Sequence, residues 1–264
     1  TLATGATSYQ FSTNSGGNFS VGSLAISAFG GLSDSGSFPL SDGTYVIDQI
    51  QVKNTDDAGN VSTTTNNSSS FTIDTVVPAP PSVTFPSQGL GNINTVLVTL
   101  SSGATFYNYS LDSGVTFTSN QTASSFTLPD ATYAIDQIQV KNGDEAGNES
   151  TTINNSYQII INTNIPDAPS VTFPSGTTNN ITVLVTLATN AVSYEFSTDS
   201  GAIFTSGTGT SFTLSEGTYT VDINQIQVRN SDSAGNTSAT TNNSSQFTID
   251  TVAPSSPSVS FPSG

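Results

Sequence analysis

The sequence predicts an all-β protein built as a rod of tandem β-sandwich modules of about 88 residues each. Three observations predict it. One stretch occurs three times: DGTYVIDQIQVKNTDDAGN at Asp42–Asn60, DATYAIDQIQVKNGDEAGN at Asp130–Asn148 and EGTYTVDINQIQVRNSDSAGN at Glu216–Asn236. Asp56, Asp144 and Asp232 lie 88 residues apart, as do Gln49, Gln137 and Gln225, and a period this long means an array of similar modules. No apolar run has a helical period; each alternates by two or is short and bounded by Gly, Pro, Asn or Ser, which is the signature of strands. Turn residues punctuate these runs every 8–12 residues or so, the rhythm of a sandwich.

Composition narrows the function. The 264 residues carry 19 acidic and 3 basic side chains, a net charge of −16. That argues against nucleic acid and anionic membranes as partners, since both demand Lys and Arg. It suits a solvated surface or one neutralised by cations. There is no Cys, His, Met or Trp, so disulfides, thiolate and imidazole chemistry and a zinc site of the usual ligands are excluded. Small modules without disulfides need another staple, and a bound hard cation is one candidate. No apolar run approaches ~18 residues, so no membrane insertion is expected. Without a leader or an initiating Met, the chain reads as a slice of something longer.

The middle module is the clearest. Strands are expected at Pro81–Ser87, Thr95–Leu100, Thr105–Ser110, Val115–Thr118 (short), Ser125–Leu128, Tyr133–Lys141 and Tyr157–Ile161. The inward set is Val83, Phe85, Val96, Val98, Leu100, Tyr107, Tyr109, Phe126, Leu128, Ile138, Val140, Ile159 and Ile161. At ~1.5–3 kcal/mol per buried large side chain these offset a chain entropy of similar size, so such a module folds alone only marginally. Seven short strands in this order describe an immunoglobulin-like sandwich. Tyr45, Tyr133 and Tyr219 then sit where that fold places its tyrosine corner, with the hydroxyl bonding back to the preceding turn. The third copy carries two extra residues between Tyr219 and Gln225; if they lie in the strand, period 2 keeps the inward set inward. Pro-rich hinges (FTIDTVVPAPPS, IIINTNIPDAPS, FTIDTVAPSSPS) separate the modules and restrict linker angles.

The expected modules are 1–78, 79–166 and 167–254, with 255–264 as the first strand of a following module. The first opens at Thr1-Leu2, which aligns with Thr186-Leu187, so its first strand and most of its second are missing. It also carries a Gly- and Ser-rich insertion near Val21–Gly36. The chain ends in PSVSFPSG, a first strand with no module after it. Windowing of a long array explains both ends. The alternative is a self-assembling filament subunit whose Val259 and Phe261 complete the open sandwich of a neighbouring copy by donor-strand exchange.

DDAGN, DEAGN and DSAGN, followed by Ser62, Ser150 and Ser238 and then by IDTVVP or IDTVAP, resemble the bacterial immunoglobulin-like repeats of giant secreted adhesins. The resemblance covers essentially the whole chain. It implies an extracellular, bacterial cell-surface location, a stalk or spacer role, partners limited to adjacent modules or neighbouring copies, and Ca²⁺ near module junctions that stiffens the stalk. One departure stands out: Asn162 occupies the position of Asp74 and Asp250, which weakens the charge at its junction. The sandwich geometry alone brings the end of one module to the Asp-x-Ala-Gly-Asn turn of the next. Asp74 should approach Asp144, and Asn162 should approach Asp232. The candidate Ca²⁺ ligands are therefore Asp56, Asn60, Asp74, Asp144, Asn148, Asn162, Asp232, Asn236 and Asp250, a hard oxygen set. The plain alternative is that each Asp-x-Ala-Gly-Asn is a tight turn, with Asp and Asn bonding their own backbone.

Ser110–Phe117 and Ser197–Phe204 match a Ser-x-Asp-x-Gly-x-x-aromatic box, with Asn14 in the Asp position of the first module; one per 88 residues fits a structural hairpin turn. Lys53, Lys141 and Arg229, the only basic residues, share one repeat position. Lys beside Asn54 and Asn142 raises a Lys–Asn isopeptide staple, but Arg229 cannot do that chemistry, so a charge partner for nearby carboxylates is the better account. Paired acids such as Asp56 and Asp57 become Asp232 and Ser233 in the third module, so no enzyme activity is expected. A carbohydrate-binding module is the remaining alternative; it asks for an aromatic platform in one module, whereas the aromatics recur at core positions.

Overall fold

The computed structural model describes residues 2–22, 24–26, 32–221 and 224–261. Among them every regular element is a β-strand, as period-2 patterning broken by Gly, Asn and Pro dictates. By contacts the chain divides into two compact units. The first comprises Thr1–Pro80, Ser101–Phe106 and Asn142–Thr151; the second comprises Pro81–Leu100, Tyr107–Lys141 and Thr152–Gly264.

The middle repeat is built from three small sheets. Thr95–Thr99 lies antiparallel between Ser82–Thr84 and Ser125–Thr127. The register sets Val98 opposite Val83 and Val96 opposite Phe126, so one face is apolar while Leu97 points to solvent. Gln139–Gly143 lies between Phe106–Ser110 and Ile153–Asn154. Ile159–Ile161 pairs antiparallel with Ala131–Tyr133 and parallel with Gly89–Gly91. Val96, Tyr107, Phe126, Tyr133, Ile138, Val140 and Ile159 from all three sheets form one buried cluster, the inner layer of a sandwich. The third repeat reproduces it with Val183, Tyr194, Phe212, Tyr219, Ile226, Val228 and Phe247. This is a tandem immunoglobulin-like architecture.

The first repeat keeps part of this plan. Its sheets run Ser20–Gly22, Ser8–Ser12, Gln51–Thr55, Thr65–Asn66, and Gly43–Tyr45 with Phe71–Ile73. The insertion forms a hairpin of Leu24–Ile26 with Leu32–Gly36; Ser23 and 27–31 lie outside the described residues. Tyr9, Tyr45 and Ile50 are buried, whereas Val52, Phe71 and Ile73 are only half-buried.

Several expectations are corrected. Tyr133–Lys141 is not one strand but the ends of two, Ala131–Tyr133 and Gln139–Gly143, broken at Asp136, whose φ is 61°. The break is held by side chains. Gln137 Oε1 accepts the Ala134 N–H at 2.8 Å, and Asn155 Oδ1 accepts the Ile138 N–H at 2.8 Å while its Nδ2 donates to the Ala134 and Tyr157 carbonyls. Asp48 and Asn224 mark the same break in the other repeats. The third repeat's extra residues therefore lie in the break between Gly217–Tyr219 and Gln227–Ser231, so strand periodicity does not govern them; Asp222 and Ile223 are outside the described residues. No strand forms at Val115–Thr118: a single bridge joins Tyr107 to Gln121, and Thr118 N–H bonds the Tyr109 carbonyl. The expected strand at Tyr157–Ile161 begins at Ile159, with a second short piece at Ile153–Asn154. Of the terminal segment, the part up to Phe261 is described; it forms no strand, and Val259 and Phe261 are 59% and 86% exposed.

Candidate functional site

The candidate site is the pair of linkers and the turns that grip them. Each Asp-x-Ala-Gly-Asn closes on itself. Asp144 accepts the Asn148 N–H on one carboxylate oxygen and the Asn148 side-chain amide on the other, both at 2.9 Å, with Gly147 at a φ of 92°. Asp56 with Asn60 and Asp232 with Asn236 make the same clasp at 2.7–2.9 Å. These bonds favour the ionised carboxyl. Asp144 and Asp56 are lowered below 3.8, with the Asn148 and Asn60 amides as the leading cause. For Asp232 burial, the largest influence, pushes upward, yet Asn236 and the turn amides together win and the value is lowered.

The clasping amide has a second hydrogen, and it crosses to the linker. Asn148 Nδ2 donates to the main-chain carbonyl of Asp74 at 3.0 Å, and Asn236 Nδ2 donates to that of Asn162 at 2.9 Å. Further carbonyls of the same linkers are held by side chains from the following repeat. Asn142 Nδ2 and Ser101 Oγ both reach Ala79 O, at 2.9 and 2.6 Å. In the other linker Asn230 Nδ2 donates to Asp167 O at 2.8 Å and Thr241 Oγ1 to Pro169 O at 2.6 Å. From the opposite side, Asp42 accepts the Thr75 hydroxyl, Asp130 accepts the Thr163 N–H and hydroxyl, and Glu216 accepts the Thr251 N–H.

The predicted residues thus meet in a different way from that expected. Asp74 meets the Asp144 turn through its backbone; its carboxylate folds back onto the Val76 N–H at 3.0 Å, since two facing carboxylates would repel. Asp250 makes the same turn with Val252. Asn162 does reach Asp232, its Nδ2 lying 3.4 Å from Oδ2. An amide there donates where a carboxylate would repel, so Asn162 adds a contact rather than weakening the junction. Among the described residues no three acidic side chains gather as a metal site. Every Asp144 and Asp232 carboxylate oxygen accepts from N–H donors. Two carboxylates at the Asp74–Asp144 junction and one at the Asn162–Asp232 junction, each already accepting N–H donors, are a poor match to the about six to eight oxygens that Ca²⁺ takes.

Tyr45, Tyr133 and Tyr219 donate their hydroxyls to the carbonyls of Ser41, Pro129 and Ser215 at 2.8, 3.0 and 2.9 Å. The Ser-x-Asp boxes are hairpin turns: Ser110 Oγ accepts the Asp112 and Gly114 N–H groups and donates to Asp112 Oδ1, while Asp112 takes the Thr116 hydroxyl and N–H. Thr116 leads in drawing the Asp112 carboxyl down to about 2. The basic residues share a further contact that the charge-partner reading did not include, with an aromatic ring. Lys53 Nζ lies 3.9 Å over the Phe19 ring, Lys141 Nζ 4.2 Å over Phe117, and the Arg229 guanidinium 3.9 Å over Phe204; Arg229 also pairs with Glu195 at 2.7 Å. Sequence reasoning missed the linker-gripping Asn142 and Asn230 and the strand-break residues Asn67, Asn155 and Asn243. The signal was present, since each set recurs at 88 residues.

The molecule belongs to the class of tandem sandwich arrays. No family model matches the chain, and no curated protein matches it. Among solved structures it is similar to the Clostridium thermocellum CbhA fibronectin(III)-like modules, at 13% identity over 64% of this chain and 94% of that one, with a TM-score of 0.41. It is also similar to the chicken CNTN1 FN1–FN3 domains, at 13% identity over 92% and 90% with a TM-score of 0.37. For domains A168–A170 of titin the values are 10%, 75% and 74%, and 0.28. Likeness at this level carries nothing about function.

Proposed function

We propose that the chain is a structural spacer, part of the stalk of an extracellular bacterial adhesin or surface fibre, and that it performs no catalysis. The observation that carries this reading is the linker grip. Asn148 and Asn236 each tie a main-chain carbonyl 74 residues upstream, so the same bond recurs at successive linkers from side chains that also clasp the equivalent Asp144 and Asp232. Uniform joints are what a spacer needs and what an enzyme or a lectin has no use for. The stacked ring pairs Tyr109–Phe126 and Phe196–Phe212 lie within the repeats, which counts against an aromatic sugar platform. The resemblance of the Asp-x-Ala-Gly-Asn repeats supports the extracellular placement.

In this reading the joints are stiffened by amide-to-carbonyl hydrogen bonds rather than by Ca²⁺. Small-angle scattering tests it on the full chain. Asn148→Ala with Asn236→Ala should broaden the distribution of dimensions, and should also lower the melting stability of each repeat by about 1–3 kcal/mol because Asp144 and Asp232 lose an amide donor. A chelator should leave the parent profile unchanged. A chelator-dependent change in the maximum dimension would restore calcium as the stiffening agent and remove the hydrogen-bond account.

A further inference from the structure

We infer that Asn142-Gly143 is a deamidation site that the folded linker holds unreactive, so that opening of this strand end is written into the chain as an irreversible change of charge. It is the one Asn-Gly pair in the sequence. Packing, and not a turn, places the glycine there: a Cβ on Gly143 would stand 2.2 and 2.3 Å from atoms of the Phe106 ring. At the equivalent pairing the other repeats set Thr55 opposite Ser8 and Ser231 opposite Ser193. Small residues there leave room for a side chain. The bulky Phe106 excludes one, and so an unhindered backbone N–H follows an asparagine.

The chemistry needs no partner beyond water. The Gly143 backbone nitrogen loses its proton and attacks Asn142 Cγ; the Cγ–Nδ2 bond breaks and ammonia departs, leaving a five-membered imide. Water then adds at either imide carbonyl, giving an aspartate with the normal backbone or one linked through its side chain. The net change is amide plus water to carboxylic acid plus ammonia.

The fold opposes every step. Asn142 is 0% exposed, and its Nδ2 is anchored to Ala79 O and Ser101 Oγ, both at 2.9 Å. Its Oδ1 is buried without a hydrogen-bond partner, so no donor stands ready for the oxyanion that attack would create. The extended backbone of Gln139–Gly143 keeps the Gly143 nitrogen away from Cγ, because ring closure requires leaving the β region. Once formed, a carboxylate at this position cannot donate to Ala79 O, and a buried charge beside that carbonyl prevents the strand end from closing again.

Peptide mass mapping of the full chain at mildly alkaline pH tests this, in native buffer and in urea. In urea Asn142 should convert faster than any other asparagine. In the native chain its rate should fall at least about tenfold, because reaction must wait for local opening. Ser101→Ala removes one anchor of the amide and should raise the native rate. Phe106→Ser with Gly143→Ser, which recreates the pairing of the third repeat, should fold and lose the fast conversion in urea. Equal native and denatured rates, an unchanged native rate in Ser101→Ala, or another asparagine leading in urea would overturn the inference.

Discussion

The first and middle repeats carry the same seven residues, Asp-Gln-Ile-Gln-Val-Lys-Asn, at Asp48–Asn54 and Asp136–Asn142. Both form the same strand, the same left-handed break and the same Asp–Asn clasp. Their burial differs: Val140 is 0% exposed while Val52 is only half-buried. In the middle repeat Val96 and Val98 of Thr95–Thr99 join Val140 in the core, and the described part of the first repeat has no counterpart of that strand. Local conformation is therefore set by the stretch itself. Its burial, and with it most of its stability, is supplied by neighbours.

The largest test of that contrast is a pair of core truncations. Ile161→Ala, at a position 3% exposed, should cost about 2–5 kcal/mol. Ile73→Ala, 88 residues earlier and half-buried, should cost less than half as much. Urea melts that place the two equal would mean that the first repeat's core is closed by something other than its own described strands. Next in size are the buried plugs. Asn155→Ala leaves the Ile138 N–H and the Ala134 and Tyr157 carbonyls without their partner in a dry site, at a cost of about 2–4 kcal/mol. Asn67→Ala breaks the equivalent bonds to Ile50, Val46 and Ser69 where water can replace them, so it should cost about 1 kcal/mol. A difference in amide exchange at Ile138 and Ile50 reads the same contrast directly.

The smallest effect is acid. The Asp144 and Asp56 carboxyls are depressed on folding, so their contribution is complete above the unfolded value near 3.8 and is lost as pH falls through the folded value. The contribution of Asp112, drawn down to about 2, is lost separately, as pH falls from 3.8 towards that value. Carboxyl carbon shifts should therefore move only below pH ~4, with both Asp-x-Ala-Gly-Asn turns loosening together. Titration of Asp144 at or above 3.8 would show that its clasp does not form in solution.

The all-β class, the alternating core positions and the recurrence of the turns were legible because each is a local pattern of period 2 or of 88. Ile138 and Val140 read as inward and are inward. The break at Asp136 was not legible, because Asp at a left-handed φ looks in sequence like any polar strand residue. At the linkers, side-chain chemistry suggested which residues converge but not which atoms. Asp74 was read as a carboxylate and acts as a carbonyl; Asn148 was read as an oxygen ligand and acts as a donor. An amide can play either part, and only the neighbouring geometry decides.

The three stacked cations are the chain's only basic residues. Lys53, Lys141 and Arg229 each lie over an aromatic ring, whose negative face attracts the cation. Copies of the chain, each with a net charge of −16, repel one another within a Debye length of about 8 Å at physiological salt. At high concentration the spacing between such chains shrinks when salt is added.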